Sequence, residues 1–223
     1  MSAHPLPHSF FYRNGLTIVF MSLLLLFWGG QAYTGWKEYN EERKEKGISP
    51  IAFAPYLRSN HFVEATFENW ESEFLQMFLY VILTVKLRQI GSAESKDLSK
   101  PEPVDREPQP HKDAPWPVKR GGWWLRLYQH SLSLAFLLLF MVSFVLHFIG
   151  SRGTYNVEQA AMHQPLASVW SYLFNTKFWF ESFQNWQSEF LSVAAIVFLS
   201  IYLRQRGSPE SKPVDAPYME TGK

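Results

Sequence analysis

The sequence predicts an all-α, polytopic membrane protein with four transmembrane helices, arranged as two tandem two-helix repeats. The apolar residues of the 223-residue chain are concentrated in four blocks, so its mean hydropathy of −0.15 averages two unlike kinds of sequence. The block at 15–33 contains no charged residue and, at about 1.5 Å per residue, can cross a hydrocarbon core of roughly 30 Å. Thr66–Lys96 and Ser182–Lys212 align without a gap at an offset of 116 residues, which is typical of a duplicated unit.

The two matched stretches share one motif near their beginning and another near their end. The first motif contains Phe67, Asn69, Trp70, Ser72 and Glu73 in one stretch and Phe183, Asn185, Trp186, Ser188 and Glu189 in the other. The second motif, Arg-Gln-x-Gly-Ser-x-Glu-Ser-Lys, includes Arg88 and Gly91 in one stretch and Arg204 and Gly207 in the other. Basic residues followed by glycine are typical of a helix C-terminus, so we predict a helix exit at each. The identity beyond the glycine exceeds what a helix end requires, and a cytoplasmic docking site is the alternative.

The predicted spans follow from the apolar blocks in chain order. The first lies at 15–33 and the third at 131–149, and the recurrence of this pattern in mid-chain argues against a signal peptide at 15–33. The apolar core at 74–85 is short, so the second span must extend over about 70–88, and the fourth over about 186–204. We expect Asn69 and Asn185 to cap these two helices, with Trp70 as an interfacial anchor.

These spans divide the chain into two membrane hairpins with polar segments around them. The Pro-rich, charged linker has almost no aliphatic residues, and we expect it to be extended or disordered. We expect the outer loop of each hairpin to contain short helices. The predicted segments are an N-terminal segment at 1–14, hairpin 1 at 15–90, the linker at 91–122, hairpin 2 at 123–206 and a polar tail at 207–223.

Basic residues near the span ends set the predicted orientation. They are abundant in the linker and after the fourth span, whereas the loop at 150–185 holds only Arg152 and Lys177. The first outer loop has five basic residues, but acidic residues outnumber them. We therefore place both termini and the linker in the cytoplasm, which gives the two hairpins the same orientation and a pseudo-two-fold axis along the membrane normal.

Glu73 and Glu189 are the strongest candidates for a functional site. A carboxylate just inside the membrane boundary is costly unless it is paired, hydrated or protonated. If the two acids face each other across the pseudo-axis, they could bind a cation, relay protons or hold a metal. The alternative is that each acid lies at the N-terminus of its own helix, where the helix dipole favours negative charge.

Two weaker sites involve histidine. Glu64, Glu68 and Glu71 share one helical face, and with His61 they could bind a metal, although an acidic face in contact with water explains the same pattern. His147 lies in the third span, where it could ligate haem, relay protons or form a hydrogen bond within the helix bundle. The first two spans offer no histidine as a second axial ligand, and we expect no cofactor.

Composition and missing motifs exclude several classes of function. A net charge of +1 gives no overall field for nucleic acid, and the absence of cysteine excludes disulfides, thiolate metal sites and cysteine nucleophiles. The chain has no phosphate-binding loop, dinucleotide fingerprint, Gly-x-Ser-x-Gly elbow or His-Glu-x-x-His motif. An enzyme is therefore the less favoured class.

The phrases FENWESEFLQM, LRQIGSAESK, ESFQNWQSEFL and RQRGSPESKP give the chain a family resemblance. It resembles an uncharacterised family of bacterial membrane proteins, a domain of unknown function, over nearly its whole length outside the linker and tails. This resemblance implies a bacterial source and an integral membrane location. It implies no activity, cofactor or catalytic residue.

Three classes of function remain at this point. The most favoured is a non-enzymatic scaffold, accessory subunit or envelope-associated protein of the bacterial cytoplasmic membrane. The second is an oligomeric conduit for protons, cations or a small solute that uses Glu73 and Glu189. The third is a membrane redox or metal-dependent enzyme that uses His147 and loop carboxylates. The expected partners are the lipid bilayer and either further copies of the chain or another membrane protein, and no nucleic acid.

Overall fold

The computed structural model describes residues 9–222, and every regular element in that range is a helix. The all-α prediction is therefore confirmed for this part of the chain. Four helices are long: α1 at Phe10–Glu45, α3 at Asn60–Lys86, α6 at Ser131–Ala161 and α8 at Thr176–Tyr202. The shorter elements are α2 at Phe53–Tyr56, a 3-10 helix at Pro103–Asp105, α4 at Trp116–Arg120, α5 at Gly122–Gln129 and α7 at Val169–Leu173.

Two of the long helices, α1 and α6, are long and apolar enough to cross a membrane. They contain the predicted first and third spans at 15–33 and 131–149. The second and fourth spans stay predictions, because α3 and α8 are each 27 residues long but begin with several polar turns. Of the predicted N-terminal segment, the first eight residues lie outside the described range.

The predicted helix starts at Asn69 and Asn185 are wrong. Helix α3 begins at Asn60, and α8 begins at Thr176, where the Asn175 side chain accepts a 2.8 Å hydrogen bond from the Lys177 N–H. No glycine or proline interrupts either helix, so the polar residues before each apolar block continue the helix instead of ending it. Asn69 and Asn185 consequently lie well inside their helices.

The expectation that the linker is extended or disordered is wrong for its first turns and for two short helices. It contains the 3-10 helix and α4, and Ser92, Ala93 and Ser95 in its first turns are buried. The reason is hydrogen bonding by serine, since Ser95 Oγ accepts from the Gln89 N–H at 3.0 Å and Ser92 Oγ lies 3.1 Å from Ser200 Oγ. Small polar side chains thus order the first turns of the linker.

The described chain forms two compact units. The first consists of the chain up to Thr66 together with Ile149–Leu166, and the second of Phe67–Phe148 together with the chain from Ala167 onwards. This division rests on packing, whereas the predicted hairpins at 15–90 and 123–206 rest on membrane topology. The hairpin boundaries therefore stay predictions.

The first unit is held together by aromatic packing around the short helix α2. Its core is Ala32, Tyr56 and Phe62, with Trp28, Trp36, Tyr39 and Ile51 packed against it. The Tyr56 hydroxyl lies 3.2 Å from His61 Nδ1, and the Tyr39 ring stacks on the His61 ring at 4.9 Å between centroids. Tyr56 lies so close to Gly35 on α1 that a Cβ at residue 35 would collide with its hydroxyl.

Burial in this protein is the reverse of that in a soluble globular domain. Among residues 9–222, eight apolar residues are buried, whereas thirteen polar or charged residues are buried. Large apolar side chains are exposed along the long helices instead, among them Leu25 and Leu26 on α1, Leu138 on α6 and Phe198 on α8. Helices with apolar exteriors and polar interior contacts suit a lipid environment better than water.

We predict that Tyr56 makes folding sensitive to alkaline pH. Burial, with smaller contributions from Glu38 and Tyr39, raises the pKa of Tyr56 from 10.0 to about 12. The unfolded chain therefore loses this proton first, and the free energy of unfolding should fall as pH rises from about 10 to about 12. Thermal unfolding in detergent across this range should show a shallower decline for Tyr56→Phe than for the native protein. Equal slopes would contradict the prediction, and Tyr33→Phe, at an exposed position on α1, is the control.

Candidate functional site

The candidate site lies in the second unit, where α3, α6 and α8 each contribute polar side chains to one buried cluster. Glu71 comes from α3, His147 from α6, and Glu181 and Trp186 from α8. We call these four residues the His147 cluster. The side chains of His147 and Glu71 are both completely buried.

Hydrogen bonds engage both oxygens of the Glu71 carboxylate. Nδ1 of His147 lies 2.7 Å from Oε2 of Glu71, and Nε1 of Trp186 donates to Oε1 at 2.8 Å. The other ring nitrogen of His147, Nε2, lies 3.8 Å from Oε2 of Glu181, at ion-pair distance but too far for a hydrogen bond. A buried carboxylate is costly without hydrogen-bonding partners, and this geometry gives Glu71 one partner for each oxygen.

Aromatic rings separate the cluster from its surroundings. The buried Phe178 ring lies 5.1 Å from the His147 ring, between centroids, and Phe144 and Phe148 pack edge-on against Phe178 at 5.5 and 5.3 Å. Apolar walls of this kind lower the local dielectric, which strengthens the contact between histidine and glutamate. The same walls make each polar group more costly if its partner is removed.

Glu181 connects the cluster to a less buried edge. Its side chain is 18% exposed, and its Oε1 lies 3.8 Å from the Lys177 ammonium one turn earlier on α8. The Asn185 side chain donates to the Glu181 carbonyl at 3.0 Å and also to the Glu68 carboxylate. Polar contacts therefore continue from the buried pair towards Lys177.

The chemistry open to this cluster is the holding of a proton and the fixing of helices. Among residues 9–222, no group of three or more histidine, aspartate or glutamate side chains is arranged to hold a metal ion. Within the cluster both Glu71 oxygens and His147 Nδ1 are hydrogen-bonded, whereas the buried His147 Nε2 has only the 3.8 Å contact with Glu181. Its clearest effect is to join three helices at one level by directional contacts.

The predicted acids Glu73 and Glu189 lie on α3 and α8, in the middle of each helix. Glu73 is exposed and Glu189 is half-buried, and the charge of Glu73 repels that of Glu189. Between these helices Gln76 donates to the Glu189 carbonyl at 3.4 Å and to Ser192 Oγ at 3.3 Å. The interpretation that each acid lies at its own helix N-terminus is wrong, because both helices begin more than two turns earlier. Their role as intramembrane acids stays a prediction.

The residues proposed as a weak metal site have other partners. His61 belongs to the aromatic core of the first unit, through Tyr39 and Tyr56. Glu64 is 8% exposed, and Glu68 is bonded to Asn185. The alternative interpretation, an acidic face in contact with water, is wrong for Glu71 and Glu64, because both are buried among other residues.

The shared motif residues form the same local contacts in both matched stretches. Ser72 Oγ donates to the Asn69 carbonyl and Ser188 Oγ to the Asn185 carbonyl, each at 2.8 Å. Phe67 packs edge-on against Trp70 at 5.3 Å, and Phe183 packs in the same way against Trp186 at 5.6 Å. Arg88 and Arg204 follow the ends of α3 and α8 and donate to carbonyls of the last turn.

Sequence reasoning placed His147 in a hydrogen bond within the bundle but missed its partners Glu71, Glu181 and Trp186. The available signal was the set of positions that differ between the two halves of the chain at the repeat offset. At the offset of 116 residues, His147 corresponds to Gln31, Glu181 to Ala65 and Glu71 to Gln187. Every ionisable member of the cluster therefore corresponds to a neutral residue in the other half of the chain.

Comparison with known proteins gives a family and no activity. A family model described as "Domain of unknown function (DUF6766)" matches residues 7–223. Comparison with curated proteins found no match, and comparison with solved structures found none either. The family match agrees with the resemblance in the sequence, and the function has to be argued from the geometry.

We predict that Glu71→Ala destabilises the protein strongly. The substitution leaves His147 and the Trp186 N–H buried without their acceptor, so the free energy of unfolding should fall by about 3–5 kcal/mol. Chemical unfolding in detergent, followed by circular dichroism, measures this difference. The matched control is Glu73→Ala, two residues away at an exposed position, which should cost less than about 0.5 kcal/mol. Equal losses in the two variants would refute the structural importance of the cluster.

Proposed function

The chain belongs to the family described as Domain of unknown function (DUF6766), and we propose that it is a non-enzymatic integral membrane protein with four membrane-crossing helices. In this proposal it serves as a scaffold or accessory subunit in a bacterial cytoplasmic membrane. The observation that carries the proposal is the inward orientation of its polar groups and their engagement with one another. Glu71 uses both carboxylate oxygens on His147 and Trp186, at a place with no exposed surface.

The exposed surfaces of α3 and α8 support their assignment as spans. The last turns of α3 expose Ile82, Leu83 and Val85, and α8 exposes Leu191 and Phe198, among other apolar side chains. Exposed apolar surface costs roughly 25 cal/mol per Å² in water, and a hydrocarbon surrounding removes that cost. Helices of 27 residues exceed the roughly 20 residues that a crossing requires.

Charge at the helix ends supports the proposed orientation. Lys86 and Arg88 follow the apolar part of α3, and Arg204 and Arg206 follow that of α8. Basic residues close to a span favour the cytoplasmic side, which puts both termini and the linker there. The loops before α3 and before α8 would then face the opposite side of the membrane.

Single cysteines test the four crossings directly, because the native chain has no cysteine. We predict that a membrane-impermeant thiol reagent labels Ser49→Cys and Ser168→Cys from one side of the membrane, and Ser99→Cys and Ser208→Cys only from the other. Labelling of intact cells and of inverted vesicles measures the two sides. Labelling of Ser49→Cys and Ser99→Cys from the same side would show that α3 does not cross. Carbonate extraction of the native protein from membranes would refute an integral location.

A second candidate function is a conduit for protons or cations, and a polar stripe on α3 favours it. Glu73, Gln76, Tyr80 and Thr84 recur at helical spacing along one face. Beside this face lies a cavity of about 280 Å³, lined by Gln76, Tyr80 and Thr84 among others and bounded by Glu94, which accepts a hydrogen bond from the Tyr80 hydroxyl. Acidic side chains thus lie near both ends of this polar stripe, while Leu83, Phe190 and Val193 are among the apolar residues that line the rest of the cavity.

Flux into liposomes tests the conduit. If the path conducts, native protein should carry protons or monovalent cations, and the double variant Glu73→Gln/Glu189→Gln should reduce the rate by about tenfold or more, because the entry charges are lost. Glu107→Gln, at an exposed position in the linker, is the control and should leave the rate unchanged. No flux with native protein, or the same flux in the double variant, would remove this candidate and leave the scaffold proposal standing.

A further inference from the structure

The sequence Gly-Ser-x-Glu-Ser-Lys folds into the same loop twice, after α3 and after α8. We call Gly91–Lys96 the first exit loop and Gly207–Lys212 the second exit loop. Gly91 and Gly207 have positive φ angles of 81° and 84°, a conformation that favours glycine. The second serine of each loop accepts from the glutamine N–H at the helix end, in Gln89–Ser95 at 3.0 Å and in Gln205–Ser211 at 2.9 Å.

Further hydrogen bonds match between the loops. The first serine N–H donates to the glutamine carbonyl at 3.2 Å in both, in the pairs Ser92–Gln89 and Ser208–Gln205. The same serine side chain accepts from the glutamate N–H two residues on, at 3.1 Å in both loops. The two loops therefore share these three hydrogen bonds, and the second loop adds one, in which the Ser208 carbonyl accepts from the Ser211 N–H at 3.4 Å.

The first exit loop binds a segment of the chain's own C-terminal tail. The Gly91 N–H donates to Thr221 Oγ1 at 2.9 Å, and the Gly222 N–H donates to the Ser92 carbonyl at 3.0 Å. A Cβ on Gly91 would lie only 2.5 Å from the Tyr218 carbonyl oxygen, so the close approach depends on glycine. The loop thus recognises a hydroxyl-bearing residue followed by a backbone N–H.

The second exit loop leaves the corresponding position open. Apart from the glycine's chain neighbours, nothing in residues 9–222 lies within 4 Å of the place that a Cβ on Gly207 would take. A cavity of about 460 Å³ adjoins this loop and is lined by Gly207, Ser208 and Arg206 among others. Arg206 replaces the apolar Ile90 of the first loop and brings a positive charge to this side.

We infer that the second exit loop is a docking site for an acidic, hydroxyl-bearing peptide segment of a partner protein, of the Glu-Thr-Gly kind that the first exit loop binds within the chain. The Gly207 N–H donates to the hydroxyl, and the Ser208 carbonyl, which accepts one long bond from Ser211 N–H, accepts from the following N–H with its second lone pair. Arg206 attracts the acidic residue, which in the tail is Glu220, directly before Thr221. A segment of a partner docks there without displacing the chain's own tail from the first loop.

A labelled synthetic peptide with the sequence of residues 213–223, PVDAPYMETGK, tests this inference on the full-length protein in detergent. Fluorescence anisotropy should show saturable binding of one peptide per chain. Gly207→Asn should weaken binding about tenfold or more, because asparagine keeps the left-handed backbone while its side chain blocks the approach. The control Gly121→Asn has the same kind of φ, 69°, and open space outside both loops, and it should bind normally. A peptide with valine in place of its threonine should also bind about tenfold more weakly.

Three outcomes overturn the inference. The first is the absence of saturable binding. The second is binding that Gly91→Asn abolishes and Gly207→Asn leaves intact, because the peptide would then be exchanging with the chain's own tail at the first exit loop. The third is an oligomer of the native protein that Gly207→Asn converts to a monomer, because the occupant would then be a second copy of this chain.

Discussion

The contact between His147 and Glu71 is the constraint on which the second unit depends. It places a charged or strongly polar pair where no surface is exposed and where aromatic rings form the walls. Water cannot replace either partner there, so each helix must keep the position that satisfies the other. Trp186 on α8 donates to the other carboxylate oxygen of Glu71. A shift of α3, α6 or α8 along its axis would therefore break a contact to the other two helices. Nonspecific apolar contact with lipid or between helices could not select one register in this way.

The first unit fixes the positions of its helices mainly by packing of aromatic rings. Its rings pack around the short helix α2, where Tyr39 stacks on His61 and Tyr56 packs at a tilt against both. Gln31, the residue that corresponds to His147, donates to a backbone carbonyl, that of Ala65, and Ala65 itself corresponds to Glu181. One amide-to-backbone bond thus stands in the first unit where an ionisable pair stands in the second. The contact between His147 and Glu181 thus has no ionisable counterpart at Gln31 and Ala65, although the two halves of the chain look alike in sequence.

Hydropathy and motif spacing were sufficient to predict an all-α chain and the apolar parts of α1 and α6, because uncharged runs of this length have few alternatives. Both helices continue beyond the predicted spans at 15–33 and 131–149, to Glu45 and Ala161. The boundaries of α3 and α8 were missed, because polar residues before an apolar block resemble a loop although nothing there breaks a helix. The partners of His147 were missed for a different reason. A contact between Glu71 and His147 joins residues 76 positions apart, and only the packing of three helices determines it. The pattern of acidic residues at helical spacing was misleading, because such residues usually lie in water whereas Glu71 is buried.

Lys212, in the second exit loop, gives the tail an unusual kind of anchor. Its ammonium is almost completely buried and donates to the carbonyl oxygens of Pro217, Tyr218 and Glu220 at 3.2, 2.8 and 2.7 Å. The ammonium therefore holds together three carbonyl oxygens that would otherwise repel one another. The turn at Pro217–Glu220 surrounds it and supplies the hydrogen bonds that water would give an exposed lysine. The Lys212 ammonium thus fixes the conformation of the last residues, and a neutral side chain of the same length would remove the three hydrogen bonds that hold this turn.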